Sequence, residues 1–218
     1  MRDYKLALNL GFKGEQSPCI PNGGGLMENE VSDRGVLTSS RNNIVVKTYG
    51  GTFGRGGLAI EAVAKVMETN PTLTAYFYSV TDDLLDQVIA IKKVYKSRVN
   101  YSTVKKPVSR NELEAIFRIS KIYIGCSISD GISTSFLEAL TKGVYPIQTN
   151  TSCAGEWVYK GAVANIIELD GKKLFHAITS AVTDDNLVDE SAEINYEFAK
   201  KHLNIDVVKK EALVFYKK

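Results

Sequence analysis

The sequence has very little histidine and cysteine, and each shortage closes off a chemistry. Two histidines, His176 and His202, stand in a helical tail with no matching ligand nearby, which leaves no histidine metal site. Three cysteines, Cys19, Cys126 and Cys153, are odd in number and far apart. They make neither a disulfide framework nor a metal-ligand spacing, and a reducing cytoplasm suits them best. Cys126 falls in an apolar stretch and reads as a buried thiol. No Asp-x-Asp pair closes a strand, so no metal cofactor is expected. No apolar run approaches the roughly eighteen residues of a membrane span. The opening "MRDYKLALNLGFKG" lacks the apolar core of a secretory signal. A net charge of +2 gives no footprint for nucleic acid. The glycine-rich stretch "YGGTFGRGG" is not followed by Gly-Lys-Ser/Thr and has no G-x-G-x-x-G in register, which argues against a P-loop or a nicotinamide cofactor.

What is present is an ordinary globular composition, 44% hydrophobic and 24% charged, over 218 residues. Strand and helix signals alternate from Ile44 onward. "NIVVK", "LTAYFYSV", "RVNYST", "KIYIGCSI", "VYPIQT" and "AVANIIEL" read as strands. Helical spacing runs through "LAIEAVAKVMET", "DDLLDQVIAIKKVY", "RNELEAIFR" and "STSFLEALTKG". Thr81 is the expected N-cap of the second of these, and Ser109 with Glu112 has the capping-box pattern at the third. Gly143 ends the fourth. Alternation of this kind implies right-handed β-α-β units. The expected fold is α/β, a doubly wound, mainly parallel six-stranded sheet with a helical C-terminal tail. Residues 1–25 read as a helix and a linker, 26–183 as the sheet domain and 184–218 as closing helices. Such sheets bind ligands at the carboxyl ends of their strands, which directs attention to the loops after the first, fourth and fifth.

The fourth loop reads "SDGISTSFLEA". Ser135 and Glu138 have the spacing of a capping box, so the stretch could simply start a helix. The same geometry offers backbone N–H groups from Ile132, Ser133, Thr134 and Ser135 and a partial positive charge, which together suit an anion. Gly131 carries no side chain to obstruct it. Asp130 stands before the helix and Glu138 about one turn inside it, and two carboxylates accept hydrogen bonds from sugar hydroxyl pairs. A diphosphate between two sugars would satisfy both ends.

An acid followed by seven residues and a Glu, in "SDGISTSFLEALTKGVYPI", resembles the E-x7-E element of retaining glycosyltransferases of family 4, which have the GT-B fold. In the same order, "PCIPNGGG" resembles their interdomain linker. "VVKTYGGTFGR" resembles the first strand and loop of their C-terminal domain, and "YPIQTNTSCAGEWV" the stretch after their fifth strand. The likeness covers about residues 18 to 170. It implies a Rossmann-like domain that binds a nucleotide-diphosphate sugar and needs no metal to do so. Asp130 would orient the donor sugar and Glu138 the ribose. Lys47 and Arg55 would meet the phosphates, with Gly54 in the same loop and Glu156 near the diphosphate. The first acid is Asp where many relatives have Glu, and Gly56-Gly57 stands where a Lys would follow Arg55. The resemblance also implies that an N-terminal acceptor-binding domain is missing, and that this chain alone is an inactive half. Its surroundings would be the cytoplasm, with peripheral attachment to the inner membrane face through the missing domain. Two other classes fit the residues: a non-catalytic nucleotide-sugar-binding or interaction module, and another enzyme on a similar scaffold, such as a nucleotide-sugar epimerase or a phosphate-binding hydrolase.

Overall fold

The computed structural model describes residues 2–15, 20, 25, 35–131, 133–150 and 153–216. Most of the linker stretch 18–25, and Ile132 of the fourth loop, fall outside the described residues. Helix α1 covers Arg2–Asn9. The sheet domain then runs β1 (Asn43–Lys47), α2 (Gly56–Thr69), β2 (Thr74–Val80), α3 (Asp82–Tyr95), β3 (Val99–Thr103), α4 (Arg110–Arg118), β4 (Ser120–Gly125), α5 (Thr134–Thr141), β5 (Tyr145–Thr149), α6 (Ala154–Tyr159) and β6 (Asn165–Ile167). Three helices close the chain: α7 (Gly171–Thr183), α8 (Asp185–His202) and α9 (Ile205–Tyr216). No helix among the described residues is long and apolar enough to cross a membrane.

The six strands form one sheet in the order β3-β2-β1-β4-β5-β6, and every pairing is parallel. Strand alternation explains why both faces are buried. Ile44, Val46, Ile122 and Ile124 point into one core, with the inner faces of α2, α3 and α7. Val45 and Tyr123 point into the other, with Phe117 of α4, Phe136 and Leu140 of α5, Trp157 of α6 and Phe198 of α8. Two layers of helix on one sheet are the doubly wound arrangement that the alternating pattern predicts.

Local capping follows the sequence in part. Ser109 caps α4 through the full reciprocal box with Glu112. Thr81 is the N-cap of α3 by position, yet its hydroxyl makes no capping bond. It accepts instead from the Gly50 amide at 2.9 Å. The expected Ser135–Glu138 box is not formed. Helix α5 begins two residues earlier than that box requires: Ser133 is its N-cap and accepts from the Phe136 amide at 3.4 Å. This start leaves Ser135 in the first helical turn and carries Glu138 out of reach of a capping position.

At the opposite end of the sheet, Arg41 is 4% exposed and donates to the carbonyls of Val36 at 2.8 Å, Lys142 at 2.8 Å and Ser120 at 3.3 Å. It ties the segment before β1 to the ends of α4 and α5. Arg41→Met would keep the bulk and remove the donors from buried carbonyls. Urea denaturation is expected to show a loss of about 2–3 kcal/mol; an unchanged midpoint would contradict this role.

Candidate functional site

The strand order reverses between β1 and β4, because the chain leaves β1 toward β2 and β3 and returns through β4 to β5 and β6. A crevice opens at such a reversal. Strand register places Tyr78, Lys47, Gly125 and Gln148 in one row across the carboxyl ends of β2, β1, β4 and β5. Lys47 stands two residues after Val45, so the row shares the sheet face covered by α4 and α5. The amino end of α5 lies above it.

Three of the predicted residues meet at this row. Lys47 Nζ is 3.8 Å from Asp130 Oδ2, and both side chains remain about a quarter exposed. The Lys47 ammonium also lies 5.1 Å from the centre of the Tyr49 ring. Glu138, on α5, has a side chain only 15% exposed, and its Oε1 accepts from Arg110 Nη1 at the start of α4. The Thr134 and Ser135 amides occupy the first helical positions of α5, where the helix dipole is positive. A Cβ added at Gly131 would meet nothing within 4 Å; protein packing places no demand on that position.

The floor under α5 is polar and buried. Tyr78 Oη, Tyr123 Oη and Gln148 Oε1 have no hydrogen-bond partner among the described residues. The Ser135 hydroxyl lies beside Tyr78 and that of Ser133 beside Tyr123, near enough to favour the phenolate but outside bonding geometry. Burial is the main reason both phenols are held well above their ordinary titration range, and Glu138 pushes the same way. These rings therefore stay neutral. Gly125 leaves a notch in the floor: a Cβ there would come within 2.3 Å of Gln148 Oε1 and 2.6 Å of Tyr123 Oη.

The glycine-rich loop takes a defined shape. Gly54 and Ser127 form an antiparallel bridge. The Arg55 amide donates to the Cys126 carbonyl at 3.0 Å, and the Ile128 amide to the Phe53 carbonyl at 2.9 Å. The Gly51 amide is held by Asp83 Oδ2 at 3.0 Å; the Thr81 hydroxyl and then this amide keep the Asp83 carboxyl below its usual range. Arg55 Nη1 turns back on its own loop and donates to the carbonyls of Gly54 at 2.5 Å, Thr52 at 3.3 Å and Gly51 at 3.4 Å. The loops after β1 and β4 are thus joined, with Arg55 stapling the first of them. Cys126 is buried, and desolvation pushes its thiol up to about 12. Glu156 lies in the first turn of the six-residue α6, in the loop region after β5.

Sequence reasoning missed Arg110, the Tyr78–Tyr123–Gln148 floor and the anchors Thr81 and Asp83. Arg110 is 28 residues from Glu138, and its local pattern speaks only of a helix start. The alternating strand face, read beyond Val45 and Tyr123, would have aligned Lys47 with Tyr78 and Gly125.

An all-parallel sheet in this order, with a helix amino end at its crevice, is the doubly wound, Rossmann-like arrangement. The fold of this chain is that of the C-terminal domain of GT-B glycosyltransferases. The C-terminal domain of LpcC, a group 1 family glycosyl transferase from Francisella tularensis, matches with TM-score 0.63 and 16% identity over 75% of this chain and 86% of that one. Anabaena HepE, solved with UDP-glucose, matches with TM-score 0.74 and 14% identity, over 97% of this chain and 60% of that one. The pneumococcal O-GlcNAc transferase GtfA, solved with UDP and GlcNAc, matches with TM-score 0.72 and 15% identity, over 99% of this chain and 43% of that one. This chain therefore spans 60% or less of those two enzymes. No family model matches the sequence, and no curated protein is detectably similar to it.

Proposed function

We propose that this chain is the donor-binding half of a retaining glycosyltransferase that moves a hexosyl group from a nucleotide-diphosphate sugar to a sugar or lipid-linked acceptor. The single observation that carries the reading is the convergence of Lys47, Asp130 and the amino end of α5 at the β1/β4 reversal, one turn before the Glu138 carboxylate. HepE and GtfA, which share the fold, were solved with UDP-glucose and with UDP plus GlcNAc, and this supports a nucleotide-sugar ligand.

In this reading the diphosphate lies on the Thr134 and Ser135 amides, and Lys47 faces it. As the glycosidic C–O bond breaks, negative charge grows on the leaving diphosphate. Preorganised amides and the ammonium stabilise that charge without reorganising at the moment of reaction. Asp130, beside Lys47, accepts from hydroxyls of the donor sugar. Glu138 accepts from the ribose diol, which displaces or shares Arg110. Arg55 serves the shape of its loop first, and reaches phosphate only by releasing the Gly54 carbonyl. Charge neutralisation falls to these groups, so the reading calls for no metal ion. A second domain would bring the acceptor and any membrane attachment, and polysaccharide or glycoconjugate assembly in the cytoplasm is the setting we assign.

Isothermal titration of the folded chain with UDP, GDP and their sugars tests the proposal. A saturable heat with one nucleotide family, and no turnover by the chain alone, is expected. Absence of heat with every nucleotide, from a protein with a cooperative melting transition, would rule the reading out.

A further inference from the structure

The carboxylate assigned to the ribose is held by a second helix. Arg110 is the first residue of α4, and the reciprocal Ser109–Glu112 cap fixes where that helix begins. Arg110 Nη1 donates to Glu138 Oε1 on α5. One turn further along both helices the contact recurs with the charges exchanged. Glu114 stands four residues after Arg110 and Lys142 four residues after Glu138, and Lys142 Nζ lies 3.0 Å from Glu114 Oε1. Residues four apart share a helix face, so the two pairs form a ladder of alternating charge along the α4–α5 seam.

The two rungs differ. The Lys142–Glu114 rung is built into the protein: Lys142 is buried, its carbonyl accepts from Arg41, and its ammonium is the main cause that keeps the Glu114 carboxyl below its usual range. The Arg110–Glu138 rung lies at the site end, with Arg110 more than half exposed and Glu138 mostly covered. Between the rungs, Leu113 and Phe117 close the seam and leave only about 10 Å³ among Arg110, Glu114, Glu138 and Lys142, room for no more than about one water molecule. On its other side Glu138 faces the Tyr78 and Tyr123 phenols, close enough to push both upward. The carboxylate is thus hemmed in, with Arg110 gripping one oxygen. A long side chain that must be ordered on binding costs affinity, and one locked beforehand by its neighbours is spared that cost.

We infer that Arg110 is a positioning residue: it aims the Glu138 carboxylate at the ribose diol and stays paired with it when nucleotide binds. The diol shares the carboxylate with Arg110 and does not displace it. The inference rests on the nucleotide-sugar reading, with Glu138 at the ribose, and adds the residue that sets the preference for ribose over deoxyribose. Glu114 and Lys142 join the helices and take no part in that preference.

The test reads a ratio. The chain and its Arg110→Ala, Arg110→Lys and Glu114→Gln variants are titrated with UDP and GDP and with the 2′- and 3′-deoxy forms of each. Loss of a cation weakens every diphosphate alike, and dividing the affinity of the parent nucleotide by that of its deoxy form cancels this. The unmodified chain prefers the parent. Arg110→Ala lowers that preference roughly fivefold, as expected when one flexible side chain must be ordered on binding. Arg110→Lys recovers part of it. Glu114→Gln lowers the melting temperature and keeps the full preference, which separates aim from helix packing. An undiminished preference in Arg110→Ala, tighter binding by that variant, or an equal loss in Glu114→Gln overturns the positioning role while the nucleotide reading stands. Equal binding of parent and deoxy forms by the unmodified chain takes the ribose away from Glu138, and the role of Arg110 with it. Failure of both UDP and GDP to bind at all overturns the nucleotide reading itself.

Discussion

Glu138→Ala weakens binding of the nucleoside diphosphate by about 1–3 kcal/mol, roughly 5- to 150-fold, if the carboxylate accepts charge-assisted hydrogen bonds from a ribose diol. Fold damage is not expected to contribute. The Glu138 side chain is 15% exposed and its partner Arg110 is 55% exposed, so the cation of the pair stays in contact with water. An ion pair with one partner this exposed contributes about 1 kcal/mol. The control that isolates the diol is chemical. Nucleotides lacking the 2′- or 3′-hydroxyl should bind the unmodified chain more weakly than the parent compound, and should bind Glu138→Ala no more weakly than the parent does. Glu138→Gln keeps shape and loses charge; it should fall between the two. Equal affinity of the unmodified chain and Glu138→Ala, measured by titration calorimetry, would remove Glu138 from the ligand and leave it as the ionic partner of Arg110.

Gly54→Ala produces the largest structural loss expected at the site. A Cβ there would stand 2.0 Å from the Tyr49 carbonyl oxygen, 2.5 Å from its carbon and 2.6 Å from the Gly50 oxygen. All three are backbone atoms of the same turn, which cannot swing aside as a side chain could. The loop must move away from Ser127, and the Arg55–Cys126 and Phe53–Ile128 bonds go with the bridge. Overpacking plus two lost hydrogen bonds predicts a fall of about 2–4 kcal/mol in unfolding free energy. Gly131→Ala is the matched contrast. It lies in the same site with open space at its Cβ position, and should change stability by less than about 0.5 kcal/mol. Urea titration of both variants decides the matter: similar losses in the two would show that the bridge does not hold the loop.

Much of this arrangement is legible in the sequence because it depends on local chemistry. Continuous apolar runs such as "NIVVK" and "KIYIG" mark strands buried on both faces, and the Ser109–Glu112 spacing marks a helix start that forms as read. The placement of Asp130 before a helix, with Glu138 one turn inside it, follows from helical geometry alone. What could not be read is whatever depends on which loops meet. The Ser135–Glu138 spacing imitates a capping box, but Ser133 takes the cap because the chain turns into the helix earlier. Glu138 is then free to reach across to α4, where Arg110 waits. Thr81 has the right position and type for a cap, yet the glycine-rich loop packs close enough to take its hydroxyl. Arg55 looks like a phosphate ligand by its residue type, and three carbonyls of its own loop claim it. In each case a nearby group from another element outcompetes the local pattern.

The central claim is that the opening turn of α5 holds a diphosphate, and amide chemical shifts measure that directly. In a titration of the 15N-labelled chain with UDP and GDP, the Thr134 and Ser135 amides should be among the most strongly shifted signals with whichever nucleotide binds, together with Lys47 and Gly125. Shifts that bypass Thr134 and Ser135 and gather elsewhere, for instance along the groove of Asn165, Glu168, Lys173 and His176 between β6 and α7, would contradict it.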